Sequence, residues 1–183
     1  MWITLIVIAI LVAAGVVFVA MQPGECRVAR SANCPLPAAP LFAQVNDFRN
    51  WDNWSPWAKL DPAVKNTYTG APAGAGAMFA WAGNKKVGEG RMTLLESRPN
   101  ESIKIKLEFI KPFAATNAVE FRFEPKGDQT LVTWSMTARK NFMMKAFHLF
   151  MNMDRMIGKE FERGLAQLQV AATSAREGAS VGA

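Results

Sequence analysis

A run of 20 residues without a charged side chain, Trp2 to Met21 (WITLIVIAILVAAGVVFVAM), opens the sequence and limits what the rest of the chain can be. At the helical rise it spans about 30 Å, the thickness of a bilayer's hydrocarbon core, whereas the apolar part of a secretory signal runs to about 7–15 residues. The run has no basic start, and Phe18 stands where a cut after Ala20 would need a small residue, so a retained membrane anchor over residues 2–21 fits better than a cleaved leader. Arg27 and Arg30 follow within the flank that orients a span, which favours an outside amino terminus and a cytoplasmic remainder.

The stretch 25–170 leaves about 140 residues, the size of one domain around one hydrophobic core. Residues 171–183 (AATSAREGASVGA) are small and polar with no period to bury, which predicts a disordered tail. The formal charge is +6 and the pI near 9.6, but the 21 basic residues are interleaved with 15 acids. Without a basic block, a helix-turn-helix or a finger pattern, nucleic acid is not expected as a partner; anionic lipid headgroups are a better match than nucleic acid, and an ordinary solvated surface accounts for the charge more simply than either. Cys26 and Cys34 fall on one extended segment, about 26 Å apart if it is a strand, too far for a disulfide. Free thiols suit a reducing compartment.

Along the chain, Glu25 to Cys34 reads as a first strand, and the proline cluster from Pro35 ends it. Pro40 then opens a short helix, Leu41 to Phe48, followed by a helical turn, Arg49 to Trp54, stopped at Ser55-Pro56. Ile103, Ile105, Leu107 and Phe109 alternate with Lys104, Lys106 and Glu108. Val119, Phe121 and Phe123, and then Val132, Trp134 and Met136, repeat the pattern with polar residues between them. Each such segment has one dry and one wet face, and turn residues separate them at hairpin spacing, predicting about six consecutive antiparallel strands from Val64 to Arg139. Asn141 to Leu168 then has helical period, and its apolar face can be covered only by the concave side of that sheet. The fold class expected is α+β, a curved antiparallel sheet gripping a long C-terminal helix.

These residues, namely Phe42-Ala-Gln-Val-Asn-Asp-Phe48, Trp51-Asp-Asn-Trp-Ser-Pro-Trp57, the glycine-rich 70–76 before Phe79-Ala-Trp81, Gly88-Glu-Gly90, Thr130-Leu-Val-Thr-Trp134 and Gly158-x-x-Phe161-Glu-x-Gly164-Leu165, resemble the START-like, Bet v 1-like superfamily (SRPBCC). The likeness runs from Val28 to Leu168 and is to its bacterial polyketide cyclase/dehydrase and lipid-transport members. It implies the helix-grip fold, a cavity between sheet and helix, an apolar ligand such as a lipid, an isoprenoid or a polyketide-like molecule, and a place in a bacterial inner membrane for the anchored form. It does not imply one reaction, because the fold serves carriers, sensors and enzymes.

In that architecture Phe79, Trp81, Phe109, Phe121 and Trp134 from strands, with Phe147 and Met151 from the helix, would line the cavity or fill it as a solid core. Small residues at Ala80, Ala82, Gly88 and Gly90 favour space. Trp51, Trp54 and Trp57 would lie near the mouth, as a plug or as a portal, with Trp57 the exposed one. Asp154 shares a helical face with Ile157 and Phe161, so it is either an acid or base inside the cavity or one half of a rim salt bridge to Arg155, Arg122 or Arg139. Glu89, two residues from Arg91, is the other carboxylate to weigh. A cyclase or dehydratase would use one of these two; an interaction module would have a filled core. No metal or cofactor is expected, since His148 is the only histidine and the cysteines lack zinc spacing. The glycine-rich 70–76 lacks the Lys-Ser/Thr ending of a phosphate loop and reads as a hairpin turn. The sequence leaves oligomeric state open.

Overall fold

The computed structural model describes residues 2–149 and 152–181, with the side chains of Phe147, His148 and 179–181 outside that description. Helix α1 (Trp2–Met21) has no buried residue and is long and apolar enough to cross a membrane. After it, β1 (Glu25–Cys34), α2 (Ala38–Asn46) and a 3-10 turn (Phe48–Asn53) lead into β2 (Lys65–Gly70), β3 (Ala77–Ala82), β4 (Glu89–Arg98), β5 (Ser102–Lys111), β6 (Ala115–Lys126) and β7 (Gln129–Arg139). Two helices close the chain, α3 (Phe142–His148) and α4 (Met153–Val181).

The strands form one antiparallel sheet in the order β1-β7-β6-β5-β4-β3-β2, so every neighbour but β1 is a hairpin partner. The first strand returns to pair along the whole of β7, from Glu25 opposite Arg139 to Cys34 opposite Thr130. Alternation decides the faces: Ile103 and Ile105 on β5, Val119, Phe121 and Phe123 on β6, and Val132 and Trp134 on β7 are all buried, as a period of two requires. Pairing between β4 and β5 slips at Leu94/Glu96, leaving Leu95 outside, and such a bulge bends a sheet. The resulting concave face holds α4 through Phe161, Leu165, Leu168 and Ala172, none more than 2% exposed.

Three expectations need correction. The first helix begins at Ala38, not Leu41, because Pro40 still falls in the first turn, where no N–H partner is needed. The terminal helix is two: Asn141 Oδ1 caps α3 by accepting from Met144 N–H at 2.9 Å, and Asn152 Oδ1 caps α4 by accepting from Arg155 N–H at 2.9 Å. An apolar period that continued across the break hid this second start. Third, residues 171–181, expected to be disordered, continue α4 as helix: Ala172 is fully buried and Ala171 packs on the core, and no proline or early glycine stops the turn.

One side-chain cluster fixes how α4 lies on the sheet. Arg30 on β1 reaches across to α4, donating to Asp154 from Nη1 and Nη2 at 3.0 Å each and to Glu162 from Nε at 2.8 Å. Those carboxylates are eight residues apart, two turns on one face, and Gly158 sits between them. A Cβ at Gly158 would collide with the Arg30 guanidinium, so the absence of a side chain there is what lets the arginine lie flat against the helix.

Candidate functional site

The sheet and helix do not close on each other completely. Between them lies a cavity of about 450 Å³, within the range that holds a drug-sized ligand. Its walls come from nearly every element. Phe109 and Leu107 of β5, Met92 of β4 and Phe79 and Trp81 of β3 form one side; Val28 and Cys26 of β1 and Trp134, Met136 and Ala138 of β7 form the other. Val119, Asn117 and Ala115 of β6 run between them, and Met144 of α3 with Met153 and Ile157 of α4 cover the top, while Phe161 of α4 lies against Trp134. Trp51, Trp57, Ala58, Asp61 and Val64 close the side beneath the connection into β2.

Local structure explains the shape. The floor is a stack of rings: Trp134 lies parallel to Phe161 at 4.1 Å and against Phe121 at 4.8 Å, its cross-strand partner. Trp54 meets both Phe121 and Trp134 edge-on, an arrangement that suits aromatic quadrupoles. Beyond that row the inward positions shrink to Asn117, Ala115 and Ala138, and space opens. On β3, Trp81 is set by a bond from Nε1 to the Val87 carbonyl at 3.1 Å and lies over Gly90, its partner on β4. A Cβ at Gly90 would overlap the Trp81 ring and the Glu108 carbonyl.

The wall is mainly apolar, with polar groups of unequal status. Asp61 is buried, and both its oxygens are engaged, Oδ1 by Ala63 N–H at 3.0 Å and Oδ2 by Asn84 N–H at 2.7 Å, so it staples two loops together. Asp52 and Lys86 are exposed at the rim. Asn117 is different: only 7% exposed, it donates from Nδ2 to Met136 Sδ at 3.6 Å, a weak acceptor. At the floor, the Trp134 indole N–H is buried with no acceptor among the described residues.

Of the residues singled out from the sequence, Trp57, Phe79, Trp81, Phe109 and Trp134 border this cavity together. Trp54 and Phe121 do not; at 1% and 0% exposure they are core beneath the floor, Trp54 tied by Nε1 to the Gln44 carbonyl. The Phe147 side chain and Met151 lie outside the described residues. Trp57 is the exposed member of its cluster, at 38%.

Asp154 points away from the cavity. It pairs with Arg30, a partner not anticipated, and those hydrogen bonds hold its carboxyl below the usual carboxylate range. Glu89 pairs with Lys111 at 2.8 Å on the neighbouring strand, also off the cavity wall. Among the described residues no three His, Cys, Asp or Glu side chains gather to hold a metal ion.

Sequence reasoning missed Asn117 and the small pair Ala115 and Ala138. A signal was present for the first: on β6 it has the parity of Val119, Phe121 and Phe123, a polar residue on the dry face.

A seven-stranded sheet gripping a terminal helix over an apolar hollow defines a class of container domains. Residues 25–173 match the family described as polyketide cyclase / dehydrase and lipid transport, and the chain belongs to that family. Solved structures agree on the fold. A protein of Thermus thermophilus is 14% identical with a TM-score of 0.59, covering 82% of this chain and 99% of its own. One from Nitrosospira multiformis is 19% identical at 0.57, covering 83% and 99%. Ara h 8.0201 is 13% identical at 0.54, covering 83% and 97%. No curated protein is a significant match to the sequence.

Proposed function

We propose that this chain is a membrane-anchored container that binds a hydrophobic small molecule, a lipid, isoprenoid or polyketide-like compound, between the sheet and its two closing helices. The observation that carries the reading is the hollow of about 450 Å³ with a mainly apolar wall. Burial of apolar surface supplies the affinity, at about 25 cal/mol per Å² removed from water. Asn117, held only by a thioether, is the group that orients a ligand's polar end. Trp57, Phe79, Trp81, Phe109 and Trp134 supply the aromatic contact. Residues 2–21 anchor the chain, and Arg27 and Arg30 favour the cytoplasmic side of a bacterial inner membrane. Binding needs no cofactor, and nucleic acid has no part in it.

The test is mass spectrometry of organic extracts from a chain lacking residues 2–21, purified without detergent, beside an Ala138→Phe variant that puts a ring into the hollow. A stoichiometric apolar compound in the first and its loss in the second is the expected result. A folded chain that comes out empty and takes up neither fatty acids nor isoprenoid alcohols on titration overturns the reading. Asn117→Leu is expected to keep purely apolar ligands and weaken those with a hydroxyl or carboxyl by about tenfold, the worth of one hydrogen bond.

A further inference from the structure

The strand order brings one set of chain ends together. Because every pair is antiparallel, the start of β1, the end of β7, the start of β6, the end of β5 and the start of β4 share one end of the sheet, as the pairs Glu25–Arg139, Ala115–Phe109 and Glu89–Lys111 record. The connections there are 83–88, 112–114 and 140–141. Lys140 N–H donates to the Gly24 carbonyl at 2.8 Å, three residues past the last residue of α1. This end of the sheet is therefore pinned where the apolar helix stops. Helix α3 follows at once, and Lys145 Nζ reaches back to the Ala20 carbonyl at 2.8 Å.

The same end carries large apolar side chains in the open. Phe113 at the β5–β6 turn is 82% exposed, Met143 on α3 is 72%, Ile110 is 53% and Phe142 is 45%. Around them stand Lys85, Lys86 and Lys140, which have no carboxylate partner among the described residues. At the opposite end, the turns at Pro99–Asn100 and Gly127–Asp128 present no such side chain. Apolar tips ringed by lysines, next to an apolar helix, fit a layer of acyl chains under anionic headgroups.

From this juxtaposition we infer that the end of the sheet carrying Phe113 and α3 seats on the surface of an anionic bilayer, with Phe113, Phe142 and Met143 entering the headgroup boundary. The inference rests on the anchored reading proposed above. Met144 of α3 borders the cavity, so this seat lays the cavity's α3 wall against the lipid.

The test uses the full chain in vesicles of phosphatidylcholine and phosphatidylglycerol, in a Cys26→Ser, Cys34→Ala background with an environment-sensitive fluorophore at Phe113→Cys, Met143→Cys or, as the far-end reference, Lys126→Cys. Expected are a blue shift and loss of intensity with nitroxide-bearing lipid at 113 and 143, and neither at 126. Amide exchange of the unsubstituted chain gives a second measure, with 110–114 slowed when phosphatidylglycerol is included and 126–129 unchanged. A chain that floats with the vesicles yet shows water-like emission at all three sites, and no slowing, overturns the seat and leaves the anchor standing. A chain that does not float overturns both. A blue shift that lipid-borne nitroxide does not quench assigns the surface to a second copy or a protein partner, and also overturns the proposal.

Discussion

Phe161 is where packing and cavity meet, so its truncation is the sharpest test of how the hollow is held open. The ring is 2% exposed, lies parallel to Trp134 at 4.1 Å and 7°, and meets Trp57 edge-on at 6.3 Å. Phe161→Ala removes about 100 Å³ of side chain, which at 24 cal/mol per Å³ of unrelaxed cavity costs about 2.4 kcal/mol. Losing the burial of the ring adds about 2 kcal/mol, and the stacked pair with Trp134 about 0.5 more. A loss of roughly 4 to 5 kcal/mol is expected, against about 1 for Phe161→Leu, which keeps most of the volume. The assay is urea denaturation of the full chain in mild detergent micelles, followed by tryptophan emission. Because the new space joins an existing apolar hollow, small aromatics such as indole should bind it and recover part of the loss. A loss below about 1.5 kcal/mol would refute the reasoning, since the site would then have collapsed around the gap and the floor would not be a rigid stack.

Glu108 receives Arg91 through Nε and Nη2 at 2.7 and 3.1 Å and Lys106 at 2.9 Å, which pushes its carboxyl down to about 2. A folded value below the unfolded 4.5 means the stabilisation is complete above 4.5 and lost as pH falls towards 2. Glu108→Gln should therefore cost about 1 kcal/mol at pH 7, after solvent screening, and nothing near pH 2, measured by denaturation across that range. Asp154→Asn should flatten the acid side of the stability profile in the same sense, because its carboxyl is also held down by Arg30, yet leave ligand content unchanged in the extraction assay. Gly90→Val should displace the Trp81 ring and press on the Glu108 carbonyl, costing about 1–3 kcal/mol and altering the near-ultraviolet dichroism of the aromatic cluster.

The sheet was legible because its signal is local: Ile103 to Phe109 and Val119 to Phe123 alternate with a period that a helix cannot use. So was the face that each aromatic takes, since parity on a strand fixes it. What parity does not give is depth. Phe121 and Trp134 lie directly opposite each other on the same face, and only the three-dimensional course of α4 decides that one borders space while the other is sealed beneath it. The failure at Asp154 has a similar cause. Helical spacing placed it with Ile157 and Phe161, but its partner, Arg30, is 124 residues away in sequence. The break before α4 was written locally in Asn152, a good cap, and was masked by an apolar period shared by two helices.

The position of the hollow follows from how the grip is distributed. Away from α1, α2 and the 3-10 turn press Phe42, Phe48, Trp51 and Trp54 into the concave face, and the later turns of α4 add Leu165, Leu168 and Ala172. That end is packed solid, and large inward residues such as Phe121, Phe123 and Ile103 meet large partners. Towards α1 lies the hollow. The inward row falls to Ala115, Asn117 and Ala138 while the chain overhead changes from one helix to another at Asn152. Small residues on β6 and β7 lower the density there. The Arg30 cluster holds α4 just beside that place, at Asp154, so the helix is pinned where packing alone would hold it least. A gap bordered by the Trp134–Phe161 stack is a feature the fold sustains, because α4 could settle into it only by unstacking those rings.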